Sequence, residues 1–482
     1  MEILVPLDAR SGKPLYEQIY EHIRNEIRNG GLKTSDRLPS TRVLAEHLKV
    51  SRSTTQMAYE QLLAEGYLEA VPCRGYFVAR LEELVEVESR GTREMRMEKR
   101  EPPESQTAGL IDFSPRGIDL ESFPFHVWRK LSKNTLVDDN KEYFHSGDPQ
   151  GEPGFREAIR RYLHSARGVN CTSDQIIIGA GSEYLLMLLF QILGPRHQIA
   201  MENPTYKQAY RVLTSLGYPV YPVEMDESGM CMQRLNETAA DVAYVMPSHQ
   251  FPTGIVMPVG RRQELLRWAE NSKPCKERYL IEDDYDSEFR YKGKPIPALQ
   301  GMDRSGRVIY LGTFSKAVAP AIRVSYMVLP EELLKRYRDK AGFYASTVSR
   351  IDQNILYQFL EQGHFERHLN RMRGIYKTKH DAFLNAARDL ERDFEISGEY
   401  AGLHILLKDR KGRTEEELIE LARRAGARVY GLSQYYIEEH PQGSARDFLS
   451  HKQHPATIVA GYARLSEEEI VQGVRLLKKG WQ

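Results

Sequence analysis

From about residue 110 to the end of the chain, short apolar runs alternate with stretches of helical periodicity. Six runs carry the pattern: QIIIG (175–179), QIAME (198–202), DVAYVM (241–246), YLIEDD (279–284), RVIYLG (307–312) and VSYMVL (324–329). Strands separated by helices pair mostly in parallel, and such a sheet needs helices on both faces. The pattern therefore predicts a large α/β domain with a mostly parallel sheet.

The rest of the chain predicts two further regions. A length of 482 residues is too great for one ordinary core. Residues 1–80 predict a compact, helix-rich domain. Residues 81–109 carry 13 charges in 29 positions and no aromatic residue. They cannot bury enough apolar surface to fold alone, so we expect a linker between domains at 1–80 and 110–482.

Composition excludes several classes of protein. Lys+Arg and Asp+Glu are both 67, so whole-chain charge gives no sign of nucleic acid. The four cysteines lack metal or redox spacing, which favours a reduced, cytoplasmic setting without a bound metal. The N-terminus has no apolar signal region, and the longest apolar run, LLMLLF at 185–190, is too short to span a bilayer. We expect a cytoplasmic protein with no membrane partner.

The first 80 residues predict three helices and a hairpin. Apolar residues recur every four positions in the first helix, at Leu15, Ile19, Ile23 and Ile27. A second helix begins at 38–40, and a third runs from its N-cap Ser51 to about Glu65. Residues 67–71 and 76–78 predict two strands. Two helices joined by a tight turn and followed by a hairpin make a winged helix-turn-helix.

This arrangement predicts contacts with double-stranded DNA. The third helix is expected in the major groove, where its N-terminal residues face base edges. The predicted DNA-binding residues are Arg52, Ser53, Thr54 and Gln56 at the bases, with the cap Ser51, then Arg37, Ser40, Thr41 and Arg42 at phosphates, and Arg74 and Gly75 at the wing tip. The segment from Arg37 to Val78 resembles the GntR-type winged helix. The alternative is a three-helix oligomerisation module, which 11 basic and 10 acidic side chains in residues 1–80 do not exclude.

The strongest signal in the large domain is a lysine. Thr313-Phe314-Ser315-Lys316 follows the run RVIYLG, and Arg323 lies seven residues further on. A lysine amine at a strand end can condense with an aldehyde when its surroundings lower its pKa. On its own, Lys316 is also explained as a surface lysine. The motif resembles the Schiff-base lysine motif of the class I aminotransferases, whose fold is called fold-type I.

The resemblance implies pyridoxal 5'-phosphate as cofactor and a role for each matching residue. Lys316 is the catalytic residue that carries the cofactor, and Asp283 pairs with the pyridine nitrogen, with Asp284 as the rival. Tyr285 bonds the ring's 3-oxygen, and Tyr206 stacks on the ring. The residues expected around the phosphate are Gly181, Ser182, Thr313, Ser315 and Arg323. Arg464, in the run GYARLS (461–466), is expected on a strand and to hold a substrate carboxylate. Each assignment has a structural alternative: Asp283 is also explained as a strand-end cap, Tyr206 as a core aromatic, and Arg464 as a structural arginine.

The order of winged helix, linker and aminotransferase-like domain resembles that of the MocR/GabR family of bacterial regulators, over essentially the whole chain. Two residues depart from working aminotransferases. Phe251 stands directly before Pro-Thr-Gly, where those enzymes usually have an Asn that bonds the cofactor, and Ser146 stands where they often have a Tyr. Both departures weaken catalysis but spare cofactor binding.

The resemblance therefore implies a transcriptional regulator and not an enzyme, with residual transamination left open. An amine effector would displace Lys316 by aldimine exchange, and the change would alter operator binding by a homodimer, with swapped heads as one arrangement. Gln208 and Gln434 stand near positions where the GABA-responsive branch has Arg, which favours a neutral amino acid, a D-amino acid or a small dipeptide. The alternatives are a competent aminotransferase that carries a DNA-binding domain, and a scaffold that no longer binds cofactor.

Overall fold

The computed structural model describes residues 5–8, 12–72, 74–80, 109–271, 277–291, 296–398, 401–438 and 455–482. The chain divides into two compact units, Met1–Ser105 and Gln106–Gln482, which we call the head and the body. The linker predicted at 81–109 lies outside the described residues, apart from Gly109.

The described residues of the head form a small helical core with a three-stranded sheet. Its elements are α1 (Leu15–Arg28), β1 (Arg37–Leu38), α2 (Thr41–Leu48), α3 (Arg52–Ala64), β2 (Leu68–Val71) and β3 (Gly75–Val78). The sheet is antiparallel, in the order β1-β3-β2. Ile19, Ile23 and Ile27 of α1 pack in one cluster with Tyr59 and Leu62 of α3. The fourfold spacing therefore predicted the buried face of α1 correctly at these three isoleucines, whereas Leu15, the first residue of the helix, is only half-buried.

The second helix begins later than the sequence predicted. Arg37 and Leu38 form β1, where they pair with Phe77 and Tyr76 of β3. Leu38 precedes a proline, and a residue in that place is pushed out of the helical region into an extended conformation. The side chain of Ser40 then accepts a hydrogen bond from the backbone N–H of Val43 and caps α2.

The turn between α2 and α3 fixes how these two helices cross. Lys49 adopts a left-handed conformation with φ of 53°, which ends α2. Ser51 caps α3 by accepting a hydrogen bond from the N–H of Thr54 at 3.2 Å. The buried hydroxyl of Thr55 donates to the carbonyl oxygen of Thr41 at 2.8 Å. These bonds hold the N-terminus of α3 at a fixed place on α2.

The body contains a large sheet and a smaller one. Its strands are β4 (Ile111–Asp112), β5 (Ile176–Gly179), β6 (Ile199–Asn203), β7 (Val220–Asp226), β8 (Gly229–Met230), β9 (Val242–Val245), β10 (Tyr279–Asp284), β11 (Val308–Thr313), β12 (Ser325–Val328), β13 (Phe394–Ser397), β14 (His404–Asp409), β15 (Ala427–Arg428), β16 (Tyr430–Gly431) and β17 (Thr457–Gly461). The large sheet has the order β5-β12-β11-β10-β9-β6-β7-β8, and the smaller one β13-β14-β17-β16. The six apolar runs of the sequence all form strands of the large sheet.

Helices cover both faces of the large sheet. The helices of the body are α4 (Phe125–Thr135), α5 (Pro153–Arg167), α6 (Ser182–Leu193), α7 (Lys207–Ser215), α8 (Met232–Glu237), α9 (Val259–Glu270), α10 (Glu331–Lys340), α11 (Arg350–Glu361), α12 (His364–Ala387), α13 (Glu415–Ala425) and α14 (Glu467–Trp481). Neighbouring residues of β5 show the two faces. Ile177 packs in one cluster with Leu189 of α6, whereas Ile178 packs in another with Phe155 of α5 and Leu356 of α11. Within the described ranges, no helix combines the length and apolar character needed to cross a membrane.

The large sheet is mostly parallel, as predicted, with two exceptions. β9, β10 and β11 pair in parallel, as do β6 and its neighbours β7 and β9. β12 runs antiparallel to both β11 and β5. The short β8, which the apolar runs did not predict, is antiparallel to β7.

Several ionisable side chains of the body are buried beside the large sheet. Arg167, at the end of α5, lies with its Nε 2.8 Å from Oδ2 of Asp284, and both side chains are almost fully buried. The hydroxyl of Tyr310 donates to the same oxygen at 2.6 Å. Glu202 of β6 is also buried, and its carboxylate accepts a bond from the N–H of Met246 at 3.2 Å.

Replacing Arg167 by Met should destabilise the body strongly. The change leaves the Asp284 carboxylate buried without its cation, which typically costs about 3–5 kcal/mol. Denaturant unfolding of the full chain, followed by tryptophan fluorescence, measures the loss. Glu420→Gln, which breaks an exposed ion pair with Arg423, is the matched control and should change stability by no more than about 0.5 kcal/mol. Equal effects of the two changes would contradict the role given to Arg167.

Glu202 should make stability fall as the pH rises. Burial raises the pKa of Glu202 from 4.5 to about 7. The folded state therefore binds this proton more tightly than the unfolded state, and the stabilisation is lost as the pH rises from about 4.5 through about 7. Thermal unfolding at a series of pH values should show a shallower decline for Glu202→Gln than for the wild type. The exposed Glu416→Gln is the control, and an unchanged slope in Glu202→Gln would contradict the prediction.

Candidate functional site

The side chains that the sequence assigns to a cofactor lie along one edge of the large sheet. β6, β9, β10 and β11 run in the same direction, and so does β5, because β12 is antiparallel to both of its neighbours. Their carboxyl ends meet at this edge, where open parallel sheets bind ligands. The predicted residues at or just beyond these strand ends are Gly181, Ser182, Tyr206, Asp283, Tyr285, Thr313, Ser315 and Lys316, and Arg323 precedes β12, which starts there.

Lys316 is held by backbone oxygens of the segment before α4. Its Nζ donates to the carbonyl of Arg116 at 3.0 Å and lies 3.4 Å from that of Pro115. Burial lowers the pKa of Lys316 to about 8; the charge of Asp286 acts in the opposite direction, and that of Arg116 lowers it further. The amine therefore loses its proton more readily than an exposed lysine does.

The two adjacent carboxylates of β10 face different surroundings, because successive side chains of a strand point to opposite faces. Asp284 already pairs with Arg167 and Tyr310. Asp283 accepts a hydrogen bond from the hydroxyl of Tyr244, a neutral group. Burial, with the charges of Asp284 and Asp286, raises the pKa of Asp283 to about 7. Asp283 is thus the carboxylate that a cationic ligand group would stabilise, whereas Asp284 is already paired with buried side chains of the fold.

The residues predicted to hold a phosphate surround the N-terminus of α6. Gly181 precedes the helix with φ of 95°, and a Cβ atom there would lie only 2.3 Å from Nη2 of Arg323. Nη2 of Arg323 donates to the carboxylate of Glu183 at 2.8 Å. Thr313 Oγ1 accepts bonds from the hydroxyl of Ser325 at 2.9 Å and from the N–H of Ser315 at 3.1 Å. Backbone N–H groups at a helix N-terminus and a guanidinium together favour an anion.

Tyr206 lies close to both the carboxylate of Asp283 and the guanidinium of Arg323. Burial raises the pKa of Tyr206 to about 12, and the charges of Glu183, Asp283, Arg116 and Arg323 all act on its hydroxyl. The predicted ring-stacking residue therefore lies within electrostatic range of both the carboxylate of β10 and the guanidinium at α6.

Phe251, the departure noted in the sequence, is the centre of an aromatic cluster. Its ring centroid lies 6.3 Å from that of Tyr206, 6.0 Å from Tyr285, 5.4 Å from His404 and 5.1 Å from Tyr435. The ring is buried. An apolar wall therefore stands where the resemblance places an amide in the enzymes.

The sequence did not predict the partners of Tyr285. Its hydroxyl lies 2.9 Å from Nδ1 of His249, and the carboxylate oxygens of Asp286 lie 3.0 and 3.1 Å from the same nitrogen. His249 and Asp286 are buried. Asp286 directly follows Tyr285, just after β10, and His249 follows β9. The only feature of the sequence that could have predicted their contact is that both residues come after the ends of neighbouring strands.

The predicted effector residues are less closely grouped. Arg464 was expected on a strand, but β17 ends at Gly461 and Arg464 lies beyond it, half exposed, with Nη1 3.3 Å from Asp112. Its side chain packs on Gly117, next to the carbonyl that binds Lys316. Gln208 is half-buried in the first turn of α7, and Gln434 is exposed.

The predicted DNA-binding residues of the head are mostly accessible. Arg37, Ser40, Arg42, Ser51, Arg52, Ser53, Gln56 and Arg74 are exposed, and Thr54 and Gly75 are half-buried. Thr41 is the exception, because its side chain is buried between α2 and α3. It can meet a phosphate only through its backbone N–H at the start of α2. In the part of the chain that the structure describes, no group of His, Cys, Asp and Glu side chains could hold a metal ion.

Two family models match the chain. "Bacterial regulatory proteins, gntR family" matches residues 15–78, and "Aminotransferase class I and II" matches residues 118–440. The body also resembles the crystal structure of an archaeal alanine:glyoxylate aminotransferase, with a TM-score of 0.67 and 26% identity, covering 78% of this chain and 91% of that one. These matches confirm the predicted fold class, a GntR winged helix joined to a fold-type I aminotransferase-like domain.

Full-length relatives share the same arrangement. The uncharacterized HTH-type transcriptional regulator YhdI of Bacillus subtilis (strain 168) is 40% identical over 484 residues, covering 100% of this chain and 98% of the relative. The probable rhizopine catabolism regulatory protein MocR of Rhizobium meliloti is 32% identical, covering 99% of this chain and 96% of the relative. The chain therefore belongs to the MocR/GabR family of GntR-type transcriptional regulators.

Proposed function

We propose that this regulator binds pyridoxal 5'-phosphate through Lys316, and that an amine effector which displaces the lysine changes how the head binds operator DNA. The observation that carries the proposal is the position of Lys316. Its amine, whose pKa burial lowers to about 8, lies at the same sheet edge as the buried carboxylate of Asp283. Pyridoxal phosphate requires an amine that condenses with its aldehyde and a carboxylate beside its ring nitrogen, and these two groups would supply them.

The residues fit this cofactor in charge and in space. Asp283 is a buried carboxylate whose hydrogen-bond partner is neutral, so a protonated ring nitrogen would stabilise its ionised form. Because Gly181 has no side chain, the guanidinium of Arg323 lies directly against the N-terminus of α6, where it would add its charge to the N–H groups that bind a phosphate. When bound, pyridoxal phosphate supplies an aldehyde that condenses with amines and a ring that withdraws electrons.

Each of these residues has a defined task. Lys316 supplies the amine that an effector must displace, and the Arg116 carbonyl orients it. Arg323, Ser182 and Thr313 bind the phosphate, with Glu183 holding the Arg323 guanidinium in place. Tyr206 covers the ring.

Three observations favour sensing over catalysis. The relatives that match over their full length are named regulators. Phe251 has no hydrogen-bonding group where the enzymes have an amide. The winged helix of the head is a DNA-binding domain whose affinity for DNA a binding event in the body could control.

An effector acts only through different affinities for two states of a protein. A homodimer with two heads would read repeated or inverted half-sites.

The effector pocket would combine a carboxylate site with neutral walls. Arg464 carries a guanidinium that is half exposed and loosely paired with Asp112, which leaves it able to bind a carboxylate. Gln208 and Gln434 carry no charge. This set favours a neutral amino acid, a D-amino acid or a small dipeptide.

Borohydride should attach the cofactor covalently to Lys316 and to no other residue. The reagent reduces a carbon–nitrogen double bond, so the wild type should gain the mass of the reduced cofactor. Lys316→Ala should gain none, and Lys335→Ala, in α10, should behave as the wild type. Intact-mass spectrometry and visible absorbance make the measurement. A colourless wild type, or labelled Lys316→Ala, would contradict the proposal.

Amines should change the wild-type absorbance and its DNA affinity together. Steady-state transamination tests the rival enzyme function on the same samples. Turnover on the order of 1 per second or faster, the usual enzyme range, would favour an aminotransferase instead.

Arg52→Ala should weaken binding to an operator selected from a random duplex pool. Arg52 is exposed at the start of α3, and loss of a base contact costs about 1–3 kcal/mol. Fluorescence anisotropy at fixed salt should therefore show at least a roughly fivefold weaker complex. Arg28→Ala, at the exposed end of α1, removes the same charge and should change affinity little. Similar losses in the two variants would indicate that charge alone, and not α3, determines binding.

A further inference from the structure

A buried ion pair adjoins the backbone of Arg464. Nζ of Lys379, on α12, lies 2.8 Å from Oδ2 of Asp119, and the side chains of both residues are only 9% exposed. The same amine donates to the carbonyl oxygen of Ala463 at 2.9 Å. Lys379 therefore binds two elements at one point: the segment before α4 and the residue that precedes Arg464.

Asp119 is fixed by several hydrogen bonds and depends on the cation. Its Oδ1 accepts a bond from the N–H of Ser122 at 3.0 Å, and its own N–H donates to the hydroxyl of Tyr376 at 3.1 Å. Burial acts to raise the pKa of Asp119, but the bonds from Lys379 and Ser122 outweigh it and hold the pKa below its usual value. The carboxylate is therefore ionised, and it needs the lysine because a buried charge without a partner is costly.

Both elements that Lys379 binds also contact Arg464. Ala463 is joined to it by a peptide bond, so the position of the Ala463 carbonyl determines where the Cα of Arg464 stands. Gly117 packs on its side chain so closely that a Cβ atom at Gly117 would lie 2.9 Å from both Cβ and Cδ of Arg464. Because Gly117 is only two residues before Asp119, the ion pair limits how far this segment can move away from the arginine.

The helix that carries Lys379 also contacts the chain beside Lys316. Nε2 of His368 lies 3.1 Å from the carbonyl oxygen of Ala317. His368 and Lys379 are buried on the same face of α12, about three turns apart. Since a helix keeps a fixed distance between its turns, α12 sets the spacing between the backbone of Lys316 and that of Arg464.

We propose that Lys379 is a positioning residue for Arg464: by binding Asp119 and the carbonyl of Ala463 together, it sets where the guanidinium meets the carboxylate of an effector. The inference rests on the proposed function, because that carboxylate belongs to the effector. The amine of Lys379 is buried on its two partners, so it acts through Arg464 and not by contact with the effector. Loss of Lys379 should therefore weaken the binding of amines that carry a carboxylate and spare simple amines.

Alanine and ethylamine differ by one carboxylate, so a comparison of the two measures its contribution. Each is titrated into the full chain loaded with pyridoxal phosphate and followed by visible absorbance, with alanine as whichever enantiomer binds more tightly. Lys379→Met should bind ethylamine as the wild type does. Its preference for alanine should fall about tenfold, because a misplaced guanidinium gives up a charge-assisted hydrogen bond. Arg464→Ala should lose the preference, and Lys377→Met, exposed on the same helix, should keep it.

A double variant separates positioning from stability. Lys379→Met alone leaves Asp119 buried without its cation, so it should unfold at a lower denaturant concentration than the wild type. Adding Asp119→Asn removes the unpaired charge, and most of the stability should return. The preference for alanine should stay low in the double variant, because the carbonyl of Ala463 still lacks its donor. If Lys379→Met does not fold, the double variant alone decides the question.

The outcomes distinguish the proposed function from the positioning role. A colourless wild type, or one whose absorbance neither compound changes, would overturn the proposed function. Equal binding of alanine and ethylamine by the wild type would overturn the carboxylate site at Arg464, and the role of Lys379 with it. A preference for alanine that Arg464→Ala abolishes but both Lys379 variants keep would overturn the positioning role alone. A double variant that regains this preference together with its stability would do the same.

Discussion

The hydrogen-bonded register of β10 between β9 and β11 decides which of two adjacent carboxylates faces the candidate site. Glu282 lies opposite Val245 of β9, and Asp283 lies opposite Leu311 of β11. A shift of one residue would exchange the two faces of the strand. Asp284 would then enter the pocket, and Arg167 would lose its partner under the sheet. The buried Arg167–Asp284 pair thus fixes the register on one face and, through it, the chemistry available on the other.

The sequence predicted the parts of the fold that depend on local pattern. Apolar runs such as YLIEDD identify strands, and a lysine or carboxylate directly after one must lie at the sheet edge. Contacts between distant residues were not predicted, because they depend on pairing order and register. Tyr244 against Asp283, and His249 against Asp286, are of this kind. In the head, the burial of Thr41 was missed because it depends on how α2 crosses α3, which helical periodicity does not give.

The site is polar, but it is built inside apolar packing. Tyr206 and Tyr285 pack against the same apolar cluster that contains Phe251 and Tyr244. Removing carboxylates and imidazoles from water costs free energy unless each finds a partner. This cost is visible in two pKa values, because burial raises the pKa of Asp283 and lowers that of His404. A ligand that brings a cation to Asp283 recovers part of it, so binding and stability should rise together.

The segment before α4 contacts both Lys316 and Arg464. The carbonyl of Arg116 binds the amine of Lys316 on the large sheet, and Gly117 supports the side chain of Arg464 beyond the smaller one. The N–H of Gly461 also donates to the carbonyl of Phe113 at 2.8 Å, which ties the same segment to β17. On the proposed function, an effector that takes the place of the lysine amine and binds Arg464 through its carboxylate acts on this segment from both sides. Amine exchange alone frees one contact, whereas an amino acid changes both, so a simple amine should be a weaker effector than an amino acid of the same size.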